Sequence, residues 1–407
     1  MQAIMNQGVG APAGNAKGEG RWRPRSGGPF YGGLVALVLF EILNVYFIMP
    51  MPGSQRFRSI DFAYLLYTWR WLVRGACVLA IASGLRGAFR RPRQWRPALV
   101  TALALAAIWF MNFRMSADHM FKQPESLVFK PRGQNKVDEN AVIVGVERNG
   151  EARAYPIRFL VYHHQVQDTL GGEPLLVTYC SVCRSARVFR PFVGGKKEMF
   201  RLVGMDHFNA MLEDETTGSW WRQANGEAII GPLKGTRLQD VEYRQVTLRN
   251  WFEMHPSALA MQMDVASTAK FDTEGKYERG LSEGDLTRTD PESWNDKSWV
   301  VGVEVGATSK AYDWNRLKRE RIINDEFGGR AIVIALATDG SSYGVFERPA
   351  PAQPFAIEGD VISAAGRTYG LDGLERTEPA NRLKAIKAHQ EFWHSWRTFH
   401  PETLVDR

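Results

Sequence analysis

The chain repeats itself, and a repeat restricts the fold to units that two related stretches can both adopt. A shift of 157 lays the stretch from Val142 (VIVGVERNGEARAYPIRFL…HHQVQDTLGG…VTYCSVCRSARVF) over the stretch from Trp299 (WVVGVEVGATSKAYDWNRL…ERIINDEFGG…IALATDGSSYGVF). Gly145, Glu147, Ala154, Tyr155, Leu160, Asp168, Gly171 and Gly172 meet the same residue types at Gly302, Glu304, Ala311, Tyr312, Leu317, Asp325, Gly328 and Gly329. Nine of the 28 positions from Gly145 to Gly172 are identical without a gap. At another shift, Trp251-x-x-x-His255-Pro256 returns as Trp396-x-x-x-His400-Pro401. Features held by both copies read as scaffold; features of one copy alone are candidates for chemistry. Cys180 and Cys183 fall on Ala337 and Gly340, and His163 and His164 on Glu320 and Arg321.

Within each copy, short runs rich in Val, Ile and Tyr lie between turn signals such as Asn149-Gly150, Gly171-Gly172 and Gly194-Gly195. Such runs predict β-hairpins in a mainly antiparallel sheet. Short helices are expected over Pro156–His164 and Leu248–Met254. The fold class is therefore α+β and β-rich, with two related repeats, 137–260 and 297–407, joined by a charged linker, 261–296.

The first 113 residues have another character. Phe30–Met51, Phe62–Leu85 and Pro97–Phe113 are apolar runs, and about 20 helical residues cross a hydrocarbon core of about 30 Å. Residues 1–29 read as a disordered tail, 30–113 as a membrane region with three helices and 114–136 as a polar connector. Arg21, Arg23 and Arg25 precede the first run, and Arg86, Arg90, Arg91, Arg93 and Arg96 separate the second from the third. By the positive-inside rule these segments are cytoplasmic, so three crossings of a bacterial inner membrane put all that follows Phe113 outside, in the periplasm or at the cell exterior. Glu41 and Arg74 would lie near mid-membrane and pair there; a later start of the second helix would instead let Arg70 and Arg74 snorkel outward.

Charge separates along the same line. Up to Phe113 there are 13 Lys/Arg against 3 Asp/Glu, and beyond it 38 against 41. The basic excess belongs to the membrane segment, which argues against nucleic acid as a partner.

Tyr179-Cys180-Ser181-Val182-Cys183 is the sharpest chemical signal. Two thiols three residues apart can hold a soft metal or close a small disulfide. With His163 and His207 as further donors they would form a Cys/His site favouring copper, with zinc also possible. The leading expectation is a membrane-anchored, extracytoplasmic metal-binding protein for metal handling or metal-linked redox. The alternatives are a thiol–disulfide oxidoreductase and a structural or interaction module with a bridged cysteine pair. Asp214, Thr217, Trp221 and Gln223, in one polar-aromatic stretch, are candidates for a ligand pocket. Cys77 is expected to pack as a small apolar residue. Met115, His119 and Met120 could offer a transient copper site or an interfacial packing stripe.

Taken together, AVIVGV…GEARAYP…VTYC-x-x-C, T-x-S-x-W-x-Q-x-x-G-x-AI-x-GPL-x-G and W-x-x-x-HP resemble the DUF3179 family of bacterial proteins over most of 137–260. The family pattern has His-Glu where this chain has His163-His164, Asn-Asp where it has Gln167-Asp168, and often Pro at Ser181. The resemblance implies that Cys180, Cys183, His163, Asp214, Thr217, Trp221 and Gln223 belong to one set, and it brings no activity with it.

Overall fold

The computed structural model describes residues 26–57, 59–90, 92–264, 275–349 and 353–406. The tail with Arg21, Arg23 and Arg25, the loop residues Arg58 and Arg91, and 265–274 of the expected linker lie outside them. The chain is mixed helix and sheet, β-rich, with apolar helices first and a sheet-rich domain after them. It divides into two compact units, Met1–Phe40 with Trp71–Ala107, and Glu41–Arg70 with Ile108–Arg407.

Among the described residues, three helices are long and apolar enough to cross a membrane: α1 (Gly28–Tyr46), α3 (Arg70–Phe89) and α4 (Trp95–Phe113). In the first unit, small residues let helices approach closely: a Cβ on Gly84 would stand 2.3 Å from the Phe30 nitrogen, and one on Gly33 2.9 Å from the Cys77 carbonyl. Cys77 is buried there, as a small apolar residue should be.

The second apolar run is not one helix. It breaks at Trp69, leaving α2 (Ile60–Thr68) separate from α3. The reason lies in the second unit, where the ring of Tyr64 meets that of Trp220 at 5.0 Å and Tyr67 donates to Glu213. Part of the run is apolar because it faces protein. Arg74 consequently lies one turn into α3, stacked over Trp71, and Asn112 donates to Glu41.

In the second unit the expected connector is partly built in: after α5 (Ala117–Met120), β1 (Phe129–Pro131) forms a sheet edge. The first half then runs β2 (Val142–Arg148), β3 (Glu151–Pro156), α6 (Ile157–His163), β4 (Gln165–Leu170), β5 (Glu173–Cys180) and β6 (Ser185–Arg190). A small hairpin, β7 (Phe192–Val193) and β8 (Lys196–Lys197), precedes β9 (Phe200–Asp206), β10 (Asn209–Asp214), β11 (Trp220–Arg222) and β12 (Ala228–Ile230). β13 (Gln239–Asp240), β14 (Arg244–Thr247), α7 (Leu248–Met254) and β15 (Leu259–Met261) complete it. The turns at Asn149-Gly150, Gly171-Gly172 and Gly194-Gly195 all have positive φ, the backbone that tight hairpins need.

The second half runs β16 (Trp299–Val305), β17 (Thr308–Asp313), α8 (Trp314–Glu320), β18 (Ile322–Phe327), β19 (Arg330–Leu336) and β20 (Tyr343–Glu347). A small sheet of β21 (Ala356–Glu358), β22 (Val361–Ala364) and β23 (Arg367–Gly370) follows, then β24 (Ala388–Phe392), α9 (Trp393–Phe399) and β25 (Leu404–Asp406). One sheet is ordered β1-β15-β3-β2-β14 and another β24-β16-β17-β25; β15 pairs parallel to β3, as β25 does to β17. Further sheets are β13-β6-β5-β4 and β18-β19-β20.

Local contacts explain the shared residues. Glycine is required at 145 and 302 because Trp251 and Trp396 lie on those strands: an added Cβ would stand 2.5 Å and 2.1 Å from the indole rings. Tyr155 donates to Asp168, and Tyr312 to Asp325. His164 and Arg321, each at φ 62°, end α6 and α8 in the left-handed conformation.

Candidate functional site

The Cys180–Cys183 turn joins β5 to β6, and both cysteines are free and fully buried. Their sulfurs face one acceptor, the Phe208 carbonyl, at 3.5 Å from Cys180 and 3.4 Å from Cys183. That carbonyl sits at the tip of the β9–β10 hairpin, where His207 (φ 50°) and Phe208 (φ 64°) are both left-handed. Two consecutive non-glycine residues in this region are sterically costly, and such strain gathers where a backbone group must point at a site. Asn209, next in the hairpin, places its amide 3.6 Å from Cys183 Sγ and donates to Gln223 Oε1 at 2.9 Å. Gln223 in turn donates to Thr178 Oγ1 and to the Ser185 carbonyl, tying β5 and β6 together on either side of the turn.

The two thiols are not equivalent. Burial alone would raise Cys180, but the hydrogen bond with Cys183 and the backbone groups of Cys183, Ala210 and Val182 outweigh it and hold Cys180 below the usual thiol value. Burial pushes Cys183 well above that value, and its bond and charge interaction with Cys180 push further. Of the two, Cys180 is therefore the sulfur that gives up its proton more readily.

Residues from more than a hundred positions downstream close over the turn. Lys297 Nζ donates to the Val182 carbonyl at 2.7 Å, and His394 Nε2 donates to the same oxygen at 3.1 Å. The Phe392 amide donates to the Cys183 carbonyl at 2.9 Å. Burial brings His394 down to about 4, so it is neutral near pH 7. On the membrane side, the segment after α1 docks on the hairpin: Ile48 accepts from the Met205 amide at 2.7 Å, and Gln55 Oε1 accepts from the Phe208 amide at 3.2 Å. Val45, Ile48, Met49 and Met111 share one apolar cluster with Cys180 and Cys183.

The residues expected as metal ligands are not gathered. His163 gives its Nδ1 to the Lys122 carbonyl at 2.6 Å, and His207 sets its Nδ1 against Asp206 at 2.7 Å. Among the described residues, no group of three or more His, Cys, Asp or Glu could hold a metal ion. Of the adjacent histidines, His164 reaches the turn, with Nε2 3.4 Å from Ser181 Oγ. The left-handed cap of α6 turns it inward, and burial lowers it to about 4. His119 is exposed, against Asp118 and Ser116.

The polar-aromatic stretch divides in two. The buried carboxylate of Asp214 accepts from the Thr217 amide and hydroxyl, the Ser219 amide and Trp221 Nε1, which is a closed turn over packed indoles rather than a pocket. Gln223 belongs to the cysteine turn. Sequence reasoning did not single out Lys297, His394, Phe392, Asn209 or the Phe208 carbonyl. Only His394 carried a usable signal, two residues before the repeated Trp396.

The family model described as "Protein of unknown function (DUF3179)" matches residues 126–403. No curated protein and no solved structure matches the chain.

Proposed function

Because the chain belongs to the DUF3179 family, whose description assigns no activity, we propose its function from the site alone: a membrane-anchored thiol–disulfide oxidoreductase working through Cys180 and Cys183. The observation that carries this reading is the turn itself, two free thiols three residues apart whose sulfurs face one shared carbonyl. A thiolate attacks and a protonated neighbour resolves. Cys180 as thiolate attacks a partner disulfide; its S–S bond breaks, and the departing thiolate takes the proton that Cys183 releases. Cys183 then attacks Cys180 Sγ and expels the second partner thiol, which is protonated from water. Two electrons pass from the dithiol to the partner, and the reverse sequence oxidises a partner dithiol. The test is equilibration of the purified full-length protein in glutathione buffers, with free thiols counted by mass-tagged alkylation. A reversible two-electron couple is expected; stoichiometric Cu(I) retention without any couple would sink the proposal in favour of a metal site.

The domain is read as extracytoplasmic, anchored in a bacterial inner membrane. The arginine distribution supports this orientation. The docking of 47–56 on the domain supports the count of three crossings, which puts the first inter-helix loop on the domain's side in either orientation.

The two halves are read as copies of one fold, supported by the order β14-β2-β3-β15 beside β24-β16-β17-β25 and by the paired Trp–Gly contacts. Their differences then become informative. Trp396 Nε1 donates to Thr403 Oγ1 at 2.8 Å, whereas the buried Trp251 Nε1 has no hydrogen-bond partner among the described residues. Ala258 stands where the second copy has Thr403, each amide donating to the preceding histidine carbonyl. Ala258→Thr should supply the missing acceptor and raise stability by about 1 kcal/mol, read from thermal unfolding in detergent. An unchanged or lowered midpoint would remove this equivalence.

A further inference from the structure

We infer that Lys297 is the positioning cation of the dithiol, supplied by the second half of the chain to set the reduction potential of a pair carried by the first; the inference rests on the oxidoreductase reading. Lys297 lies just before β16, and its ammonium bridges two carbonyls, Val182 and Leu286, each at 2.7 Å. Val182 stands between the cysteines, so this contact puts a full positive charge on the turn itself. The ring of Phe392 lies 4.8 Å from Nζ, so one side of the ammonium meets an aromatic face, and the neutral His394, whose Nε2 proton goes to the same Val182 carbonyl, stands 3.3 Å away. Lysine costs free energy in such a place unless its charge is used, because burial removes water from the ammonium. Burial does pull Lys297 down, while Cys183 and Cys180 pull it back up, which places the sulfurs within electrostatic reach.

Other charges around the turn are engaged elsewhere. Arg187 pairs with Glu391 on β24, and Arg222 pairs with Asp206 on β9, which also meets His207. Arg397 of α9 pairs with Asp296. Arg184, next to Cys183, gives its guanidinium to the carbonyls of Tyr277 and Glu278 and stacks on Trp299. His164, neutral, meets Ser181.

The attacking thiolate exists only in the reduced form, and the disulfide carries no charge. A cation on the turn therefore favours the reduced form and makes the couple more oxidising. Lys297→Met in the full-length protein should shift the glutathione equilibrium about tenfold toward disulfide, which for two electrons is about 30 mV more negative. Lys297→Arg should restore most of the shift, and thermal unfolding of the reduced proteins monitors the fold. If Lys297→Met does not fold, Lys297→Gln, which keeps a donor for Val182 without the charge, should give the same shift. Failure of the wild type to form any Cys180–Cys183 disulfide would overturn the oxidoreductase reading. A wild-type couple left unmoved by either neutral variant, or moved equally by arginine, would overturn the role of Lys297 alone.

Discussion

Cys183→Ser is expected to arrest the protein as a mixed disulfide through Cys180, at close to one adduct per chain, while Cys180→Ser gives none. The asymmetry follows from the turn. Cys180 receives the hydrogen bond and backbone groups that favour a thiolate, so on the proposed mechanism it attacks a disulfide; Cys183, pushed up by burial, acts only after Cys180 has been consumed. Without Cys183 the turn holds no second thiol to resolve the adduct. The measurement is incubation with a small disulfide such as oxidised glutathione, then intact-mass analysis before and after reduction. Adducts on Cys183 in the Cys180→Ser protein, with none in the converse variant, would reverse the assignment. Both variants lose turnover, so only the adduct separates attack from resolution.

The second large effect concerns the joint between the halves. Arg187 of β6 and Glu391 of β24 form an ion pair at 2.7 Å, with side chains 3% and 1% exposed. Arg187 also donates to the carbonyls of Ala224 and Ala186, and Glu391 accepts from Ser395. Arg187→Met should cost about 3–5 kcal/mol, because it strands a carboxylate in a dry interior. The double change Arg187→Met with Glu391→Leu should recover much of that loss, since two apolar residues leave no uncompensated charge. Phe392, which holds the Cys183 carbonyl, follows Glu391 directly, so the single change should also disturb the couple. Thermal unfolding in detergent reads the first effect and thiol counting the second. A loss below about 1 kcal/mol for Arg187→Met would mean that the pair is not what holds this joint.

The parts of the fold visible in the sequence were those that local chemistry decides. Gly-Gly and Asn-Gly pairs mark hairpins because few other residues accept their backbone angles, and α7 begins and ends at the residues expected of it. Apolar runs mark helices, but hydropathy does not distinguish a lipid neighbour from a protein one: a later start of the second helix was one of two readings, and the contacts behind it, Tyr64 and Tyr67 facing Trp220 and Glu213, lie about 150 positions away in the sequence. The cysteine turn was legible as a strand end carrying two thiols. Its surroundings were not. A backbone carbonyl such as that of Phe208 has no signature, and Lys297 and His394 are ordinary residues until the second half folds against Val182. His163 and His207 were natural choices by proximity in sequence, yet the carbonyl of Lys122 and the carboxylate of Asp206 receive their rings.

The docking of 47–68 on the domain has a consequence for how the protein can be handled and how it can be cut. A chain severed after Phe113 would lose Ile48, the acceptor for Met205, Gln55, the acceptor for Phe208, and Tyr64, the cover for Trp220. The fragment released would expose apolar surface beside its own thiols and would leave the strained hairpin tip over them without its latch. Shedding the domain from the membrane therefore removes part of the apolar packing around the cysteines.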